Sequence, residues 1–128
     1  MMTNKPTEKE LHETIERRST GKTSFAEFLE ELHTIGIKQY DIDVATGEAT
    51  YKAGNSELKT EPQVNFEISN QFDRNQALHT IANITLPFLD FLREMANAGI
   101  ASYTVNINEK KAVYVGINNE QIVETLQL

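Results

Sequence analysis

Apolar residues recur along the chain at two spacings, and each spacing predicts a different kind of element. Between residues 25 and 35 they lie three or four positions apart, as on the buried face of a helix. These residues are Phe25, Phe28, Leu29, Leu32 and Ile35. Gly36 follows at once, which is typical of a glycine that ends a helix in the left-handed conformation. From Tyr40 to Ala53 apolar and polar residues alternate, which predicts a β-hairpin with one buried and one solvated face.

A two-residue turn at Thr46-Gly47 is expected to connect the two strands of this hairpin. In that register Ile42 lies opposite Tyr51, and Asp41 lies opposite Lys52. The buried face then consists of Tyr40, Ile42, Val44, Ala49, Tyr51 and Ala53. The solvated face consists of Gln39, Asp41, Asp43, Glu48, Thr50 and Lys52.

The same pattern occurs a second time, 63 positions further along the chain. Residues 25–51 align without a gap with residues 88–114, and the matches fall on structural positions. Among them, Phe25 aligns with Phe88, Gly36 with Gly99, Tyr40 with Tyr103 and Tyr51 with Tyr114. The second hairpin has the buried face Tyr103, Val105, Ile107, Ala112 and Tyr114. Its turn over residues 108–111 lacks glycine, which predicts a longer or looser loop.

Further elements are predicted around the two copies. Capping boxes at residues 7–10, 24–27 and 73–76 begin helices, of which the first covers about residues 8–19 and the third about residues 74–83. Thr85 is expected to cap the helix of the second copy, with Pro87 in its first turn. Strands are predicted at residues 64–68 and in the C-terminal segment 121–128, with a short return strand at residues 57–60.

These elements predict an α+β fold in which each half is two helices followed by a β-meander. The first half covers about residues 8–68 and the second about residues 72–128. A unit of about 60 residues has a marginal core by itself. We therefore expect one domain over residues 1–128, with an antiparallel sheet, helices packed on one face, and pseudo-two-fold symmetry.

Composition excludes several classes of function. The chain has no cysteine, which removes disulfides, thiolate nucleophiles and cysteine zinc sites. Its net charge of −7, from 12 basic and 19 acidic residues, disfavours nucleic acid and anionic membrane surfaces as partners. The first ten residues contain no apolar run, and no stretch approaches the ~18 apolar residues of a membrane helix. A cytoplasmic location is expected, and no cofactor is predicted.

The stretch Gly21-Lys22-Thr23 resembles the end of a phosphate-binding P-loop. A P-loop requires a glycine five residues before Gly21 and a preceding strand. The sequence has Glu16 there, at the end of a predicted helix, and a new helix begins at once. The stretch is therefore predicted to be a turn between helices that binds no nucleotide.

Twelve residues of the first copy carry a resemblance to a known family. They are Gly21, Thr23, Phe25, Phe28, Gly36, Ile37, Tyr40, Ile42, Asp43, Ala49, Thr50 and Tyr51. This pattern resembles the YbcV-like family of small bacterial and phage-associated proteins, some of which are labelled phage envelope protein. The second copy departs from it, because Asn106 stands in place of an aspartate and no cysteine follows Phe91. The resemblance supports the fold and implies no activity.

Two groups of residues are candidates for ligand binding. Asp41 and Asp43 share one strand face, where they could bind a hard cation or act as acid and base. Alternatively Asp41 pairs with Lys52 and both aspartates are solvated. Tyr40 and Tyr103 could line a pocket between sheet and helices, or pack in the core. The three histidines, His12, His33 and His79, are too far apart in sequence to form a helical metal site, so no catalytic or metal residue is predicted.

One strand of the second copy is apolar on both faces. Its outward residues are Val113, Val115 and Ile117, where the first copy has Thr50, Lys52 and Gly54. Either the rest of the chain covers this face, or the face is an interface with another molecule. The sequence therefore favours a non-enzymatic binding or regulatory module, with a homodimer or another protein as partner. The alternative is a small-molecule or metal-dependent enzyme that uses Asp41, Asp43 and a histidine.

Overall fold

A computed structural model of the chain describes residues 8–82 and 86–126, and it has the α+β architecture that the sequence predicts. The helices are α1 (Glu8–Ser19), α2 (Phe25–Thr34), α3 (Arg74–Ala82) and α4 (Phe88–Asn97). The strands are β1 (Gln39–Asp43), β2 (Ala49–Ala53), β3 (Ser56–Lys59), β4 (Ile100–Asn106), β5 (Lys111–Gly116) and β6 (Gln121–Thr125). Two helices and three strands are thus followed by two helices and three strands. A duplication would produce this order, although the duplication itself remains a prediction.

The six strands form one antiparallel sheet in the order β3-β2-β1-β4-β5-β6. The first strand of each half, β1 and β4, pair with each other at the centre of the sheet. In this central pair Asp41 lies directly opposite Thr104. The two meanders therefore extend outward from a shared middle, and β3 and β6 are the edge strands.

One face of the sheet, here called the inner face, is buried under the helices. Its side chains include four tyrosines, and phenylalanines of α2 and α4 pack on two of them edge to face. The ring centroids of Phe28 and Tyr40 are 6.2 Å apart, and those of Phe91 and Tyr103 are 5.8 Å apart. Residues of both halves belong to a single hydrophobic core. On the opposite, outer face no side chain of the six strands is fully buried. The helices thus cover one face only.

Glycines end the helices of the first half in the way that the sequence predicts. Gly21 and Gly36 have φ angles of +78° and +96°. The N–H of the next residue reaches back to the first carbonyl of the last turn, from Lys22 to Arg17 at 2.8 Å and from Ile37 to Leu32 at 2.9 Å. This is the Schellman arrangement, which satisfies carbonyl groups that the helix leaves unpaired.

The predicted helix starts are confirmed in part. Ser24 and Glu27 form a complete capping box at α2. At α3, the N–H of Gln76 donates to Asp73 Oδ1 at 3.0 Å, which is one of the two bonds of a box. Pro87, expected in the first turn of α4, is its N-cap residue and makes no side-chain cap bond. The predicted caps Thr7 and Thr85 lie outside the described residues.

The predicted register of the first hairpin is wrong by two residues. Tyr40 lies opposite Tyr51 rather than Ala53, and Asp41 lies opposite Thr50 rather than Lys52. The reason is the loop, which covers residues 44–48 instead of turning at two residues. Gly47, with φ +77°, donates its N–H to Asp43 O at 2.8 Å and closes this wider turn. An even shift keeps every side chain on its face, so the predicted inner and outer faces are correct.

The predicted strand at residues 64–68 is also wrong, because this segment joins no sheet. Its backbone N–H groups donate to the β1–β2 loop instead, from Val64 to Thr46 O at 3.1 Å and from Phe66 to Ala45 O at 2.7 Å. Phe66 and Ile68 pack against the core. The predicted return strand and C-terminal strand are confirmed as β3 and β6, and the second hairpin has the expected longer loop, over residues 107–110.

Candidate functional site

A polar group occupies the middle of the outer face, around the first predicted ligand residue. Asp41 Oδ1 accepts a hydrogen bond of 2.6 Å from Thr104 Oγ1, its neighbour on β4. The Lys52 ammonium lies 3.0 Å from Asp41 Oδ2 along the diagonal of the β1–β2 pair. Gln39 Nε2 makes a third, longer contact of 3.4 Å to Oδ1. The ion pair that the sequence suggests is therefore present, although Lys52 is not the directly opposed residue.

These bonds favour the charged form of the Asp41 carboxyl. Partial burial works against ionisation, but the hydrogen bonds from Thr104 and Lys52 outweigh it and hold the pKa of Asp41 below its ordinary value. Asp43 is exposed, and its Oδ1 accepts the N–H of Ala45 at 3.0 Å, within the wide turn. Both carboxylates thus have bonds within the chain. Their candidate role in binding a cation or exchanging a proton stays a prediction.

The histidines lie apart from these aspartates. His12, His33 and His79 are exposed residues of α1, α2 and α3, in the helical layer. Asp41 and Asp43 project from the opposite face of the sheet. Within residues 8–82 and 86–126, no three histidine, aspartate or glutamate side chains are grouped so that they could hold a metal ion.

The second predicted ligand residues, Tyr40 and Tyr103, belong to a buried cluster. Tyr40 packs against Tyr51 at 5.3 Å between centroids, and Tyr103 packs against Tyr114 at 5.2 Å. None of the four tyrosines is more than 7% exposed. Burial raises the pKa of all four phenols above the ordinary value. They fill the layer between sheet and helices. Of the two arrangements that the sequence allows, pocket lining and core packing, the structure has core packing.

One carboxylate enters the edge of this layer. Glu124 on β6 points to the inner face, where its Oε1 accepts a hydrogen bond from the Tyr114 hydroxyl at 3.2 Å. Burial raises the pKa of Glu124 above its ordinary value, and the bond from Tyr114 offsets only part of this effect. A charged residue that points inward from an edge strand discourages pairing with another sheet edge. Glu124 therefore opposes the pairing of the edge strand β6 with the edge of another sheet.

The stretch Gly21-Lys22-Thr23 forms the turn between α1 and α2. Lys22 is exposed, and Thr23 is buried, with a hydroxyl that has no hydrogen-bond partner. Backbone N–H groups of this turn already have partners within the chain. Those of Gly21 and Lys22 donate to carbonyl groups at the end of α1, and those of Ser24 and Glu27 are bonded in the capping box of α2. The predicted turn between helices is confirmed, and the absence of nucleotide binding remains a prediction.

The largest apolar feature of the outer face lies on β5 and β6. Val113 and Val115 are half-buried on β5, which lies between β4 and β6, and Val123 on β6 lies directly opposite Val113. Val123 is 61% exposed, more than any other large apolar side chain in the described ranges. We call Val113, Val115 and Val123 the valine strip. Up to Leu126, where the described residues end, the C-terminal segment does not cover the strip, because it forms β6 beside β5 and adds a valine to the same face.

Ile117, the third residue of the predicted apolar face, is 42% exposed and follows the end of β5. It lies in the turn before β6, so it flanks the strip. Sequence periodicity identified the two valines of β5 but missed Val123. The signal was present, since Ile122 and Val123 are adjacent apolar residues in a strand and only one of them can face the core.

Two grooves of about 330 Å³ each lie in the helical layer. The first, between α1 and α2, is lined by glutamates, among them Glu31, which pairs with Arg17 at 3.2 Å. The second lies between α2 and the β4–β5 loop, and His33 and Lys110 are at its margin. Neither groove is lined by Asp41, Asp43 or the tyrosines. The predicted ligand residues therefore lie outside both grooves.

Comparison with known proteins gives a family but no activity. A family model described as a protein of unknown function (DUF1398) matches residues 9–124, nearly the whole chain. No curated protein shows a significant match to the sequence. None of the helices in the described residues is long and apolar enough to cross a membrane.

Proposed function

Because the chain belongs to this family of unknown function (DUF1398), we propose its role from the geometry: it is a non-enzymatic interaction module that acts through the outer face of its sheet. The observation that carries the proposal is the valine strip on a face that no described element covers. Apolar side chains collected on a surface are typical of a site where another molecule binds. The first partner to consider is a second copy of the chain.

The polar residues of the molecule support an interaction role over catalysis. A catalytic carboxylate or histidine is held near the reacting group and has a pKa suited to proton transfer. Asp41 is bonded to Thr104 and Lys52, and Asp43 is bonded within its own turn. The displaced pKa values of the tyrosines come from burial in the core, where a substrate has no access.

The resemblance to the YbcV-like family and its phage association remains a prediction. It adds no ligand and no partner to the proposal. A role that depends on a phage would be one setting for an interaction module, and the same surface would carry it.

Site-specific photo-crosslinking in cells that express the full chain tests the proposal. Benzoylphenylalanine replaces Val123 in one variant and Thr50 in the other, so that both probes lie on the outer face in opposite halves of the sheet. Irradiation is expected to give a discrete adduct from position 123 and none from position 50. An absence of adducts from position 123, or equal labelling from both positions, would contradict the proposed function.

A further inference from the structure

The outer face is divided into a charged half and a nearly uncharged half. On β1, β2 and β3 its side chains include Asp41, Asp43, Lys52, Glu57 and Lys59. On β4, β5 and β6 the residues that share a face with the valine strip are uncharged except for one lysine. They are Ser102, Thr104, Asn106, Gln121, Thr125 and Lys111. Lys111 lies in the row farthest from Val115, and its ammonium is 3.0 Å from Glu109.

A surface of this kind is complementary to itself. In a symmetric dimer the same patch meets its own copy across a two-fold axis, so a charged residue close to the axis meets a like charge. An axis above β5 places Val113 and Val115 against their own copies, and the charge on this strand, Lys111 at its start, is paired with Glu109. An axis above β1 would instead place Asp41 and Asp43 against their own copies. The chain as a whole has a net charge of −7, which further opposes any contact that brings charged surfaces together.

We infer that two copies of the chain associate through the valine strip, about a two-fold axis that runs parallel to the strands above β5. This axis places β5 over the β5 strand of the second copy and β6 over its β4 strand. The charged halves then extend on opposite sides, in water. The inference rests on the proposed function and names the partner for the same face.

The size of the overlap determines the strength of the association. Three strands at ~4.8 Å spacing and ~17 Å length give a plane of about 240 Å². A standard stable interface buries roughly 800 Å² of accessible surface on each partner. The dimer is therefore expected to be weak and concentration-dependent. Because repulsion between two acidic chains opposes it and no ion pair forms it, added salt should strengthen it.

Sedimentation analysis of the full chain tests this inference, at protein concentrations from about 10 µM to about 1 mM and at low and high sodium chloride. The test variant is Val123→Lys, because this side chain is already 61% exposed and a lysine is tolerated there in the monomer. The matched control is Thr50→Lys, which adds the same charge to the charged half of the same face. A second test variant, Val115→Lys, changes the strip on β5 and should weaken the association as Val123→Lys does, and circular dichroism verifies folding of all three.

The wild type and Thr50→Lys are expected to associate more as salt rises. Val123→Lys is expected to weaken the association by at least about tenfold, because two-fold symmetry places the new lysine in the interface twice. A wild type that stays monomeric at all conditions would overturn the inference, as would association that Val123→Lys leaves unchanged. If the dimer is overturned, a crosslinked adduct between position 123 and a different protein would still support the proposed function. The dimer and the proposed function can therefore fail separately.

Discussion

At the scale of single residues, Asp41 and Glu124 have pKa values displaced in opposite directions by their positions on the sheet. Asp41 lies on the solvated face and receives hydrogen bonds from Thr104 and Lys52, which lower its pKa. Glu124 lies on the inner face, where burial raises its pKa. The fold is therefore stabilised by the ionised form of Asp41 and by the protonated form of Glu124.

We predict opposite effects when each carboxyl is replaced by its amide. A lowered pKa means that ionised Asp41 stabilises the fold above its ordinary pKa of 3.8, and that this contribution is lost as pH falls through the folded value. A raised pKa means that Glu124 favours the fold most below 4.5, and that this contribution is lost as pH rises through the folded value. At neutral pH, Asp41→Asn should lower and Glu124→Gln should raise the free energy of unfolding.

Urea unfolding between neutral and acid pH measures both differences from the wild type. Each difference should shrink toward zero in acid, where the carboxyl groups are protonated in the folded and unfolded states alike. The interpretation fails if Glu124→Gln destabilises the protein at neutral pH while Asp41→Asn does not.

At the scale of elements, Gly99 joins α4 to β4 at a crowded point. Its φ angle of +82° is one that glycine adopts without cost. A Cβ atom at this position would lie 2.7 Å from the carbonyl oxygen of Gln71 and 2.9 Å from the Cα of Phe72. The segment that links the two halves therefore passes directly over this glycine, and both contacts are with backbone, which cannot rotate away.

Gly21 provides a matched control for this junction, because its φ angle is +78° and nothing lies within 4 Å of a Cβ placed on it. Replacing each glycine with alanine should cost about 1 kcal/mol for the backbone conformation. We predict that Gly99→Ala costs at least about 2 kcal/mol more, because the backbone of residues 71 and 72 must move. Denaturant unfolding measures both variants. Equal losses in the free energy of unfolding would contradict the prediction, because the backbone of residues 71 and 72 would then move at no cost.

At the scale of the whole molecule, the two halves share one sheet and one hydrophobic core. The β1–β4 pair is the centre of the sheet, and each half supplies one of its strands. Separation of the halves would expose the edges of β1 and β4 and divide a core that contains residues of both. A unit of about 60 residues has little core to compensate for such a loss.

We predict that neither half folds alone and that the two restore the fold when mixed. The division falls after Asn70, an exposed residue of the linking segment. Fragments 1–70 and 71–128 should each lack a cooperative thermal transition by circular dichroism, and an equimolar mixture should regain one. A cooperative transition in fragment 1–70 alone would mean that β1 is stable without β4.

The sequence by itself determined the type and order of the four helices and six strands, although it also predicted a strand at residues 64–68 that does not form. The helical spacing of Phe25, Phe28 and Leu29 gave α2, and the alternation that begins at Tyr40 gave the correct inner and outer faces. These predictions succeed because they depend on local periodicity and capping, which the chain expresses within a few residues. The capping box at Ser24 and the left-handed glycine at Gly36 are local in the same sense.

Only the tertiary structure decided how the elements meet. The register of the first hairpin depends on a wide loop that the segment around Val64 supports from outside, and sequence periodicity does not report such a contact. The bond from Thr104 to Asp41 depends on the pairing of β1 with β4, which are far apart in the chain. The valine strip likewise exists because β6 pairs beside β5 and does not cover it. Pairing of distant strands fixes both the site and the open face, and this is a property of packing that no short stretch of sequence encodes.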